Sequence, residues 1–232
     1  MIRTSHPART LGALVAVTAI LAACGGSGVA PASSGVPSVS PSAPASSAAT
    51  TACPTAQPEP LPAGQTRTVT IETSKGKIVI TVDGTLSPIA AGNFVALAEC
   101  GYYTGVIFHR LVPSFVIQGG DGEFGRTGGD LSRAGQGGPG YTIRDEPVTT
   151  VYQRGTVAMA RTRAPDSQGS QFFIVLDDAA AGPLATFNTY AIFGSVSSGM
   201  DVVDAIAAMP NSGEPNNAAL EPVAMEVVTV AP

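Results

Sequence analysis

Phe108-His109-Arg110-Leu111-Val112-Pro113-Ser114-Phe115-Val116-Ile117-Gln118-Gly119-Gly120-Asp121 contains two short apolar runs split by Pro113-Ser114 and closed by a glycine pair. Runs of that length bounded by turn residues read as consecutive strands. Phe115 and Gln118 follow Arg110 at spacings of five and eight, so on adjacent strands a cation, an aromatic ring and an amide converge.

Upstream, Thr68-Val69-Thr70-Ile71-Glu72 and Lys77-Ile78-Val79-Ile80-Thr81-Val82 alternate around Ser74-Lys75-Gly76, which predicts a β-hairpin. Ser87 as N-cap, Pro88 at the first helical position and Gly101 after the end predict a helix over residues 88–100, with Ala90, Phe94, Leu97 and Ala98 on its packed face. Downstream, short strands are expected at Gly155 to Ala160, Phe172 to Leu176, Tyr190 to Val196 and Val223 to Val230. Ser198 and Asp201 open a second helix striped by Val202, Val203, Ile206 and Met209. Many short strands with two helices predict a mainly β fold, a barrel or sandwich capped by helices.

The 232 residues, 44% hydrophobic, suffice for one core plus appendages. A net charge of −5 with 12% charged residues and no basic cluster excludes a nucleic-acid partner. Of two histidines and three cysteines, His6 and Cys24 belong to the N-terminal leader described below, and the three that remain are too few for the usual zinc ligand sets, so no metal is expected. Gly135 to Gly140 satisfies G-x-G-x-x-G, but Pro139 interrupts it and Tyr141-Thr142-Ile143 reads as strand where a dinucleotide site needs a helix. Ser170 lacks the second glycine of a hydrolase nucleophile elbow.

Arg3 and Arg9 precede an apolar run from Leu11 to Ala23, too short to span a bilayer and of signal-peptide length. Its end, Leu21-Ala22-Ala23-Cys24-Gly25, resembles the bacterial lipobox, so residues 1–23 are expected to be a cleaved lipoprotein signal and Cys24 the lipidated N-terminus. That implies a protein held at the cell membrane on its extracytoplasmic face through the lipid alone. Residues 24–66, dominated by Ala, Ser, Pro and Gly with Glu59 the sole charge, are expected to be a disordered tether. The folded domain is assigned to residues 67–232. Cys53 and Cys100 remain as a pair, either a disulfide or two free thiols.

The opening stretch resembles the signature of cyclophilin-type peptidyl-prolyl cis-trans isomerases. Two further blocks, Gly169-Ser170-Gln171-Phe172-Phe173-Ile174 and Tyr190-Ala191-Ile192-Phe193-Gly194, follow in the family's order. The resemblance implies a closed eight-stranded β-barrel with a helix over each open end, a proline-binding groove on its outer wall, and no cofactor. Arg110 is the implied catalytic residue, while Phe115 and Phe173 form the proline pocket and Val116 stands at its edge. Gln118 and the backbones of Ala160 and Arg161 hold the substrate chain; Gln171 supports the groove, and His109 matches the motif histidine. The absence of tryptophan leaves Leu184 as the apolar wall residue in a lengthened Asp177 to Asn188 segment, and Tyr190 replaces a common histidine. Arg161, where asparagine is common, is expected to add charge at the rim and favour acidic substrates. The Gly122 to Ala134 loop is longer than in compact members.

An Xaa-Pro bond faces a barrier of about 18–20 kcal/mol and interconverts in roughly tens to hundreds of seconds. Anything that weakens amide resonance accelerates it, and no bond need break. The expected activity is therefore isomerisation of proline-containing clients among exported or envelope proteins, assisting folding, by a monomer. The competing reading is a non-catalytic proline-peptide binding module or holdase using the same groove.

Overall fold

The computed structural model describes residues 52–232. The expected signal over 1–23, the lipidated Cys24 and the tether up to residue 51 lie outside the described residues. Among the described residues no helix is long and apolar enough to cross a membrane.

The elements are β1 (Thr66–Thr73), β2 (Gly76–Asp83), α1 (Pro88–Glu99), β3 (Phe108–Val112), β4 (Val116–Gly119), β5 (Thr156–Met159), β6 (Phe172–Val175), α2 (Ala181–Phe187), β7 (Ile192–Ser198), α3 (Met200–Ala207) and β8 (Val227–Ala231). The strands form one curled antiparallel sheet in the order β3-β4-β6-β5-β7-β2-β1-β8. Alternation in the β1–β2 hairpin sends Val69, Ile71, Ile78, Ile80 and Val82 into the core. Inside the curl, Phe94 of α1 contacts the rings of Tyr103, Phe172 and Phe193 at centroid distances of 5.1, 5.2 and 4.7 Å. The fully closed barrel that was expected is replaced by a sheet whose end strands, β3 and β8, form no ladder with each other. The chain beside them meets at an isolated bridge, Ile107 to Ala224, flanked by Phe108 N–H to Val223 O at 2.9 Å and Met225 N–H to Val106 O at 2.8 Å.

Four further expectations are corrected, while of the two readings of Cys53 and Cys100 the disulfide holds. The tether ends earlier than composition suggests, because residues 52–65 lie against the domain as a strap. Leu61 is buried and its N–H donates to Pro88 O at 2.9 Å, while Gln57 Oε1 accepts from Arg144 N–H at 3.0 Å. Cys53 and Cys100 are bonded, with Cα atoms 5.0 Å apart. The strap's prolines, read as a mark of disorder, also lower the entropy lost on fixing an extended segment. The strap passes so close to α1 that a side chain on Gly92 would strike Glu59 O and Leu61 N. This explains why Gly92 is buried along with the expected helix face, while Asn93 is buried by its bonds to Gly169 O and the Tyr141 hydroxyl, both at 2.7 Å.

Ser87 does not cap α1 through its side chain. Instead the Glu146 carboxylate accepts from Ile89 N–H and Ala90 N–H, both at 2.8 Å, placing negative charge at the positive end of the helix. The second expected helix, α3, begins after Gly199 at φ 89° rather than at Ser198. Finally there are three α-helices, not two, since α2 forms in a segment whose Gly182-Pro183 reads as loop. Proline is tolerated there because it falls in the first turn.

Candidate active site

The β3–β4 hairpin pairs Arg110 directly with Gln118, and β4 pairs Gln118 with Phe173 of β6. Cross-strand partners share a face, so the three side chains form one row across the sheet. The spacing of eight between Arg110 and Gln118 is the hairpin's own register. Pro113 and Ser114, the latter at φ 58°, make the turn that carries Phe115.

This row borders a pocket of about 330 Å³. Phe115, Val116, Phe173, Leu184 and Tyr190 give it apolar walls, Arg110 and Gln118 line its polar edge, and Ala160 and Arg161 lie at its boundary with a second cavity. Tyr190 packs edge-on against Phe173 at 5.4 Å and 85°. Tyr152 fixes that wall, its hydroxyl donating to Tyr190 O at 3.0 Å and accepting from Tyr190 N–H at 3.3 Å. Pro183 and Phe187 also line the pocket and were missed in the sequence, because both sit on α2.

Arg110 is half-buried, and one guanidinium nitrogen donates to Gln118 Oε1 at 3.4 Å. Burial lowers its pKa and the Tyr190 hydroxyl opposes that, but an arginine keeps its charge in such a setting. Gln118 Nε2 donates to Gln171 Oε1 at 3.0 Å, and Gln171 Nε2 donates to Gly135 O at 2.9 Å and Gly137 O at 2.8 Å. The donor is thereby positioned through a chain of amides that ends on backbone. Gln171 lines not the pocket but the adjoining cavity of about 740 Å³, with Glu123 and the Gly135 to Thr142 segment.

His109 is not part of the pocket lining. It is buried against Gly135, where an added Cβ would lie 3.2 Å from Nε2, and neither ring nitrogen has a partner among the described residues. Burial pushes its pKa down to about 4, aided slightly by Arg110 and opposed by Asp121. The expectation of free positive charge at Arg161 is also corrected. Its side chain is 8% exposed, lies 2.8 Å from the Asp145 carboxylate, and donates to Thr162 O at 3.1 Å and Ala164 O at 2.7 Å. A guanidinium so paired leaves no spare cation for an acidic substrate.

The long loop is gathered at its root by Asp121. One carboxylate oxygen accepts from Glu123 N–H at 3.0 Å and Phe124 N–H at 2.9 Å; the other accepts from Gly135 N–H at 2.7 Å and Gly137 N–H at 3.0 Å. Burial alone would raise the Asp121 pKa, but these donors outweigh it and the net shift is downward. Ser170 is buried and its hydroxyl donates to Gly120 O at 2.7 Å, a structural use that leaves no nucleophile.

Residues 68–230 match the family model described as cyclophilin type peptidyl-prolyl cis-trans isomerase. The chain belongs to the cyclophilin family.

This cyclophilin is 40% identical over 159 residues to a peptidyl-prolyl cis-trans isomerase of Acinetobacter baylyi, covering 67% of this chain and 80% of the relative. It is 35% identical over 161 residues to peptidyl-prolyl cis-trans isomerase A of Dickeya dadantii, covering 68% and 81%. A crystal structure of a Cryptosporidium parvum cyclophilin type peptidyl-prolyl cis-trans isomerase superposes with a TM-score of 0.60 at 27% identity, covering 72% of this chain and 99% of that one. The same Cryptosporidium protein, in a structure described as in the presence of the dipeptide Ala-Pro, superposes with a TM-score of 0.59. As a cyclophilin, the chain is a peptidyl-prolyl cis-trans isomerase.

Proposed function

We propose that the pocket takes the ring of a client proline and that Arg110 drives the rotation. The observation that carries this reading is the placing of one guanidinium beside an apolar pocket, tethered by Gln118 at 3.4 Å with its other N–H groups free of side-chain partners among the described residues. A donor aimed at the prolyl nitrogen weakens amide resonance most when the carbon–nitrogen bond is twisted, so it stabilises the transition state above the ground state. Phe115, Val116, Phe173 and Leu184 hold the ring. Gln118 and the backbones of Ala160 and Arg161 hold the residue before it, so the flanking chain resists being carried round. The Ala-Pro dipeptide named with the Cryptosporidium protein fits such a use.

The clients in this reading are exported or cell-envelope proteins, and the role is assistance in folding. The apolar run and Cys24 support a lipid anchor on the extracytoplasmic face, and the Cys53–Cys100 bond suits an oxidising compartment. The protein acts as a monomer in this reading.

Direct observation of cis-to-trans exchange in a proline tetrapeptide by NMR, using the protein from Gly25 onward made without lipid, tests the activity. Strong acceleration that Arg110→Ala removes is expected; a folded wild type without acceleration overturns the reading. Fractionation of cells carrying wild type or Cys24→Ala tests the anchor, with release from the membrane expected for the variant.

A further inference from the structure

α2 ends at the pocket. Ala180 and Leu184 sink into the apolar cluster that contains Val116 and Phe173, which fixes the helix in place. Asn188, at φ 42°, stops it, with its N–H returning to Leu184 O at 3.0 Å. The stop leaves Phe187 as the last helical residue, nearly one turn beyond Leu184, on the pocket rim and 64% exposed. Of the eight phenylalanines in the chain, no other is exposed. A large ring kept in water on a pinned helix, beside a pocket with room beyond a prolyl ring, is placed for contact with a bound chain.

We propose that Phe187 is a specificity-determining residue that receives an apolar side chain at the position following the client proline. The inference rests on the isomerase reading above, in which the residue before proline docks along Ala160 and Arg161. Those two residues border the adjoining cavity, whereas Phe187 and Pro183 line the pocket alone. A chain that enters along Ala160 and leaves its ring in the pocket therefore exits over α2. No charged side chain of α2 lines that exit, and Arg161 is neutralised by Asp145, so the surface selects for apolar area rather than charge.

The test compares Ala-Ala-Pro-Phe with Ala-Ala-Pro-Ala on the protein from Gly25 onward, reading kcat/KM by NMR exchange. Wild type should favour the phenylalanine peptide by about tenfold. In Phe187→Ala the ratio should fall to near one, and Phe187→Leu should restore part of it. A ratio cancels any general change in activity, and the exposed position leaves the thermal transition in place as a check on folding. A second pair, Ala-Leu-Pro-Ala against Ala-Ala-Pro-Ala, varies the residue before proline and should give the same ratio in wild type and variant. An unchanged first ratio, or a change confined to the second pair, overturns the proposal. If wild type turns over no peptide, the isomerase reading fails by itself. The Kd ratio of the same first pair, from NMR titration, then decides the role of Phe187: preference lost in Phe187→Ala supports it, and equal Kd values in wild type overturn it.

Discussion

The Arg110 guanidinium meets the Gln118 amide oxygen at 3.4 Å, across the hairpin register that pairs the two residues. The contact is long for a hydrogen bond, so it orients the cation while leaving its donors to a ligand. Arg110→Lys keeps the charge but loses the rigid fork, and its kcat/KM should fall about 100-fold with little change in thermal stability. Gln171→Leu, which frees Gln118 from its backbone anchor, should give a smaller loss of about tenfold. Single-site NMR exchange on one tetrapeptide measures both.

Capping of α1 by Glu146 predicts a stability effect at a residue far from the helix in sequence. Glu146→Ala removes the acceptor for both Ile89 N–H and Ala90 N–H and should cost about 1–2 kcal/mol. Glu146→Gln, with one acceptor oxygen, should lose less. Urea titration at neutral pH distinguishes the three proteins.

His109 predicts acid sensitivity. Its pKa is about 4 when folded against an ordinary 6.5, so the unfolded chain binds more protons between those values. The stability that comes from keeping the ring neutral is fully present above pH 6.5 and is lost as pH falls towards 4, by about 3 kcal/mol in all. His109→Asn should flatten that part of the profile. Asp121, with a lowered pKa, adds its own loss at more acid pH, below the usual carboxylate value. Unfolding free energies measured from pH 7 to pH 3 separate the two windows.

Reduction of the Cys53–Cys100 bond releases a loop closed over a sequence separation of 47. The chain-entropy estimate for a loop of that size is about 4 kcal/mol. A Cys53→Ser, Cys100→Ser variant should therefore melt roughly 8–15 °C lower. An unchanged Tm in scanning calorimetry would show that the non-covalent contacts of the strap suffice.

The pairing of Arg110 with Gln118 was legible because both belong to one hairpin, whose register sets them opposite each other, with Phe115 carried by the turn between them. The hairpin β1–β2 and the packed face of α1 were legible through period and capping rules. What escaped depends on contacts distant in sequence. Glu146 caps a helix 57 residues away, so Ser87 looked like the cap. Composition hid the strap, since a single buried Leu61 among prolines carries little periodic signal. Phe187 escaped because Gly182-Pro183 masks α2, and Arg161 seemed free because Asp145 is not its neighbour in sequence.

Asp121 binds the backbone on both sides of the long loop, at 123 and 124 and again at 135 and 137. The loop's two feet are therefore pinned to one carboxylate, and the second foot is also where the amide chain from Arg110 ends, at Gly135 O and Gly137 O. Closing a longer loop between fixed feet costs only slowly rising entropy, about 0.6 kcal/mol per doubling of length. The exposed segment Thr127 to Arg133 is thus a port for grafted sequence: an epitope, a reporter peptide or a binding module inserted there would be displayed on the surface while Asp121 keeps both feet in place.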